Sequence, residues 1–97
     1  MIVRIVKMQF NSKDCSAFQE LFESRKAEIR SFTGCIHLEL WRDTTDPTIF
    51  FTYSIWQSQA ALDKYRFSDF FKDTWTQTRK LFHEKAQAWS VQSISRQ

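Results

Sequence analysis

Hydrophobic and polar positions alternate with two distinct periods along these 97 residues. Residues Ile2 to Phe10 are short, β-branched and interrupted by Arg4 and Lys7, the pattern of a strand. Asn11-Ser12-Lys13-Asp14 follows with helix-start chemistry, because Asn11 or Ser12 can cap and Asp14 puts negative charge in the first turn. From there Phe18, Leu21, Phe22, Arg25, Ile29 and Phe32 recur three and four apart, one face of an amphipathic helix. Gly34, the one glycine of the chain, stands just past that helix. Cys35 to Arg42 alternates again as a second strand, Asp43-Thr44-Thr45-Asp46-Pro47 makes a turn, and Thr48 to Trp56 is a third strand.

Ser58 can cap a short helix bearing Ala61, Leu62 and Tyr65. Ser68 can cap another, with Phe71, Trp75, Thr78 and Phe82 at helical spacing. Lys85 to Ser95 alternates enough to be a last strand. The predicted order is β-α-β-β-α-β, an α+β chain with a ferredoxin-like antiparallel sheet and helices on one of its faces, forming a single domain over residues 1–97.

The third strand shows both faces apolar or aromatic: Phe50, Thr52, Ser54 and Trp56 share one, and Ile49, Phe51, Tyr53 and Ile55 the other. A strand with one wet side carries polar residues at every second position, which this one does not. Helices cover one face, so the other calls for apolar cover. A second copy of the chain is the simplest source, giving a dimeric α+β barrel, and a different partner is the alternative.

Composition sharpens the picture. Ten Phe, four Trp and two Tyr are a heavy aromatic load for so short a chain, suited to a packed core plus an interface or an aromatic-lined pocket. The net charge of +3 comes from interspersed signs, and Arg25-Lys26 and Arg79-Lys80 read as solvated helix faces, so nucleic acid is not expected as a partner. Charges break the apolar start of the chain every two or three residues, against a signal peptide or membrane span, and a cytoplasmic location is expected. One glycine excludes the Gly-rich phosphate-binding turns. His37 and His83, 46 positions apart, and Cys15 and Cys35, 20 apart, show no metal-ligand spacing, so neither cofactor nor metal is expected.

Several stretches carry a resemblance. Phe32-Thr33-Gly34-Cys35 running into a strand, Trp41-Arg42-Asp43, Asp46-Pro47, and Phe50 to Trp56 followed by Ser58-Gln59-Ala60-Ala61-Leu62 resemble the antibiotic-biosynthesis-monooxygenase family, as does Ser68-Asp69-Phe70-Phe71. The resemblance implies a homodimeric barrel with a pocket between sheet and helices in each subunit. It also implies a cofactor-independent monooxygenase that oxidises a small aromatic substrate, a quinol or polycyclic phenol, with O2. Trp56 is then the pocket tryptophan whose indole N–H donates to a substrate or peroxide oxygen. Thr52 stands where some members have an amide, Ser54 where a glutamate is frequent, and Tyr65 where quinol-type members place a histidine.

These replacements leave room for a binding or sensing domain of the same fold without chemistry. Haem degradation fits less well, since Trp75 takes the place of the iron-ligating histidine and Val6, Lys7 and Met8 that of the first-strand asparagine. The expected catalytic residues are Trp56, Tyr65 and His37, and the expected substrate-binding residues are Thr52, Ser54, Phe71 and Trp75. Ordinary core packing is the competing account for Trp56, Tyr65, Phe71 and Trp75. His37 shares a face with Glu39, and the turn from Asp43 to Pro47 does not set which face that is.

Overall fold

The computed structural model describes residues 1–97. Its elements are β1 (Ile2–Phe10), a 3-10 turn (Ser12–Asp14), α1 (Cys15–Ser31), β2 (Cys35–Arg42), β3 (Ile49–Trp56), α2 (Gln59–Arg66), α3 (Asp69–Arg79) and β4 (Phe82–Val91). The strands form one antiparallel sheet in the order β2-β3-β1-β4, which is the ferredoxin-like topology. No helix is long and apolar enough to cross a membrane.

The two serine caps form as the sequence predicts. Ser58 Oγ accepts from the Ala61 N–H at 3.1 Å, and Ser68 Oγ accepts from the Phe71 N–H at 3.1 Å. Each satisfies one of the free donors of a helix start and fixes where that helix begins. The start of α1 differs from expectation, because no side chain caps it. Asn11 instead turns its side-chain oxygen toward His83 Nδ1 on β4, at 3.2 Å.

The last strand also differs. It runs from Phe82 to Val91 rather than from Lys85 to Ser95, and Ile94 lies beyond it, fully exposed. Phe82, placed by its spacing on a helix, is the strand partner of Phe10 and packs against that ring at 5.4 Å. Helical spacing and the first inward position of the strand coincide there, and only pairing with β1 distinguishes them. His83 is accordingly a strand residue.

Gly34 has φ +87°, a left-handed conformation that suits glycine. A Cβ there would collide with the Cβ of Ala61 on α2. The Gly34 carbonyl accepts from the Gln57 N–H at 2.8 Å, so this residue ties the β2 entry to the end of β3.

β2 bulges at its start. Cys35 pairs with Trp56, but His37, not Ile36, pairs with Ile55. From there on Leu38 and Leu40 point to the helices, while His37, Glu39 and Trp41 share the opposite face with Tyr53 and Ile55. That outer face continues through Val3 and Ile5 on β1 to Trp89 and Val91 on β4. No element of the chain covers it, and Trp41 and Trp89 remain 41% and 44% exposed.

The helix-facing side of the sheet is not one continuous core. Met8, Phe10, Phe18, Phe22 and Phe50 form one buried cluster, and Cys35, Trp56 and Leu62 form another. Phe10 and Phe18 stack at 4.1 Å within the first. The second closes around Gly34, with Ala61 packed against it.

Gly34→Ala is expected to destabilise the fold by about 2–4 kcal/mol, combining left-handed strain with displacement of α2. Urea unfolding of the variant beside the wild type measures it.

Candidate functional site

A cavity of about 300 Å³ lies between the sheet and the helices and separates the two buried clusters. This is at the lower end of the range for small-molecule sites. Met8, Phe18 and Phe22 reach it from the first cluster, Trp56 and Leu62 from the second. Fourteen of its twenty-one lining residues are hydrophobic. One wall is a run of rings. Trp56 stacks on Tyr65 at 5.0 Å, Tyr65 meets Phe71 edge-on at 5.0 Å, and Phe71 stacks on Trp75 at 6.0 Å.

Six of the seven site residues expected from sequence line this one cavity: Trp56, Tyr65, Thr52, Ser54, Phe71 and Trp75. His37 does not. It points from the outer face of the sheet, where it pairs with Glu39 and packs edge-on against Tyr53 at 5.7 Å. The β2 bulge and the pairing with Ile55 set that direction, and the sheet stands between His37 and the cavity. Glu39 also accepts from Trp41 Nε1 at 2.8 Å, and these bonds hold its carboxyl below the usual carboxylate range.

The donor expected on Trp56 is committed. Its indole N–H donates to Ser54 Oγ at 3.0 Å, with both residues buried. Ser54 therefore accepts from Trp56 and keeps its own O–H to donate. Thr52 is next on the same strand face, one position pair closer to the first cluster. Tyr65 is held well above the ordinary tyrosine range, mainly by burial and then by nearby Cys35. It stays a neutral phenol at any working pH, so it can donate a hydrogen bond and cannot serve as a base.

Sequence reasoning missed the charges. Arg4, Arg25 and Arg66 all line the cavity, and no Asp or Glu does. Arg4 carried a readable signal, being the one charged residue among Ile2, Val6, Met8 and Phe10 on the inward face of β1. Arg25 sits in the apolar stripe of α1, where it donates to Asp73 at 2.9 Å and Thr74 at 2.7 Å on α3. Nothing in the local pattern marks Arg66.

The cavity thus offers flat apolar walls, hydroxyl donors and positive charge. It has no side chain able to take up a proton at neutral pH, since neither histidine nor any carboxylate reaches it. It also lacks the histidine that would ligate a haem iron: Trp75 lines the wall, and His37 and His83 lie elsewhere. Nowhere do three or more His, Cys, Asp or Glu side chains gather as a metal site would require.

The family model described as antibiotic biosynthesis monooxygenase matches residues 1–77. The chain belongs to that family. The matched part contains every lining residue of the cavity except Thr78, Ala86 and Ala88. Solved structures agree on the fold of this family member. One, called an antibiotic biosynthesis monooxygenase, superposes with a TM-score of 0.91 at 17% identity, covering 98% of this chain and 100% of the other. A conserved protein from Methanosarcina mazei Go1 gives 0.88 at 22% identity, covering 94% and 91%. A single-residue mutant of SnoaB from Streptomyces nogalater, called a cofactor-independent oxygenase, gives 0.87 at 13% identity, covering 98% and 94%. A comparison with curated proteins finds no match.

Ser54→Ala leaves the buried Trp56 N–H without an acceptor and is expected to cost about 1–3 kcal/mol. Combined with Trp56→Phe, its cost falls below the sum of the two single changes, because no orphaned donor remains. Unfolding of the four proteins in a double-mutant cycle tests this.

Proposed function

We propose that the protein is a cofactor-independent monooxygenase, a cytoplasmic homodimer that oxidises a quinol or polycyclic phenol with O2. The observation that carries the reading is the aromatic-walled cavity with cations and hydroxyl donors but no acid or base residue, in a chain of this family. Such a site has little means of driving proton transfer itself. It suits a substrate whose own acidity and electron richness do the chemistry.

In this scheme the rings of Trp56, Tyr65, Phe71 and Trp75 hold the substrate flat and exclude water. Positive charge from the arginines favours the ionised phenol, which gives up its proton to bulk water as it enters. The phenolate gives an electron to O2, and the radical pair joins as a ring peroxide anion. Hydroxyl donors from Ser54 and Tyr65 stabilise the negative oxygen. The ring C–H proton moves to the distal oxygen as the O–O bond breaks, and the hydroxide that leaves becomes water with the proton released on ionisation. A quinol with a free ring C–H becomes a hydroxyquinone: one oxygen atom stays on the ring, the other leaves as water, and all four electrons come from the substrate.

The uncovered sheet face supports the dimer. Removing Ile5, Phe51, Tyr53 and Ile55 from water in a second copy contributes several kcal/mol at about 25 cal/mol per Å². Its outcome is a concentration-dependent dimer in sedimentation equilibrium, lost on Ile5→Lys combined with Phe51→Lys.

The lack of a proton acceptor in the cavity also favours a second reading, a ligand-binding or sensing module. Oxygen uptake by metal-free protein with a panel of hydroquinones separates the two. The oxygenase is expected to exceed autoxidation, with Ser54→Ala and Tyr65→Phe each lowering kcat about 10- to 100-fold. Ligand-dependent melting shifts with no uptake across the panel would support the binding module instead.

A further inference from the structure

The three arginines of the cavity are not equivalent. Arg25 is neutralised where it stands, paired with Asp73, bonded to Thr74 and lying over the ring of Phe70. Arg66, the last residue of α2, takes part in none of the ion pairs of the chain. Arg4, paired in register with Ser54 on β3, donates to Ser90 Oγ at 3.0 Å. That bond uses one of a guanidinium's five N–H donors.

Arg4 and Arg66 are also close enough to repel. Burial and then the charge of Arg66 push the Arg4 guanidinium below its ordinary value, with Asp63 opposing. Asp63 does not line the cavity, and its carboxylate accepts from Gln59 at 2.9 Å. Two cations with donors to spare therefore border an apolar space that holds no carboxylate. Such an arrangement costs the empty protein stability, and an incoming anion would reverse that cost.

We propose that the cavity takes an aromatic ligand bearing a carboxylate, with Arg4 and Arg66 holding the carboxylate and the ring wall of Trp56, Tyr65, Phe71 and Trp75 holding the rings. The inference rests on the cavity being the ligand site. It adds the ionic handle that selects among aromatic compounds. Guanidinium groups suit this task because they meet a carboxylate with parallel N–H donors.

Calorimetric titration of the full-length, metal-free protein at pH 7 and low salt tests it. The probes are 1-hydroxy-2-naphthoate, its neutral counterpart 1-naphthol, and decanoate. The naphthoate is expected to bind about tenfold or more tighter than 1-naphthol, the worth of one good charge-assisted pair. Added salt should weaken the naphthoate and leave 1-naphthol unchanged. Arg66→Met and Arg4→Gln should each remove most of the preference while 1-naphthol still binds, which shows that the cavity of the variant is intact. Lys13→Met, an equal loss of charge at an exposed residue outside the lining, should change neither affinity. Equal affinity for naphthoate and 1-naphthol, or a preference that survives both arginine substitutions, overturns the proposal. Decanoate binding as tightly as the naphthoate overturns it in favour of an acyl-chain acid. Failure of both naphthalenes to bind wild type at millimolar concentration overturns the cavity reading beneath it.

Discussion

Side chains of a pleated sheet must point to one face or the other, and all three helices of this chain lie on the same face. From that constraint the two faces acquire separate work. The inner face meets α1, α2 and α3 and contributes to core and cavity together. The outer face carries Val3, Ile5, Phe51, Tyr53 and Ile55 with nothing of its own chain over them. A shift of one residue in any strand would exchange the two sets. The whole arrangement therefore rests on the register of β1 against β3 and β4.

The helices do not seal the inner face evenly. The phenylalanine cluster around Phe10, Phe18 and Phe50 closes one end, and the Cys35–Trp56–Leu62 cluster closes the other around Gly34. Between them the rings of Trp56, Tyr65, Phe71 and Trp75 stand as a wall and do not fill the space. A domain of this size gives up core packing to keep such a cavity, which weakens it by the contacts the missing atoms would have made. The cavity is in that sense an exception to close packing. Its polar groups fit the same account, since a void left only by imperfect packing would have no reason to gather Arg4, Arg66, Ser54 and the Tyr65 hydroxyl.

Replacement of side chains within this frame changes which group does what. Ser54 Oγ accepts the indole N–H of Trp56, so the serine hydroxyl and not the indole keeps a hydrogen free to donate. Tyr65, raised by burial, contributes a fixed proton and no basicity. His37 and Glu39, chemically the most suggestive pair in the strand pattern, belong to the outer face with Trp41 and Tyr53.

Much of this is written in local pattern. Period-two alternation marks the strands, three-and-four spacing marks α1, and Ser58 and Ser68 mark the helix starts because capping is a matter of a few adjacent residues. The doubly apolar third strand marks the unsatisfied outer face. The family resemblance, and not periodicity, marks Trp56, Tyr65, Thr52, Ser54, Phe71 and Trp75 together as candidates, and they do converge. What local pattern does not contain is direction and distance across the chain. The Ile36 bulge turns His37 outward, pairing with Phe10 claims Phe82 for β4, and Asn11 leaves its cap for His83. The meeting of Arg4 from β1 with Arg66 from α2 joins residues 62 positions apart. Each of these depends on long-range pairing energies, to which a window of neighbouring residues is blind. Composition and periodicity determined the architecture and put Arg4 on the inward face of its strand, and the tertiary fold decided that Arg66 meets it at the cavity.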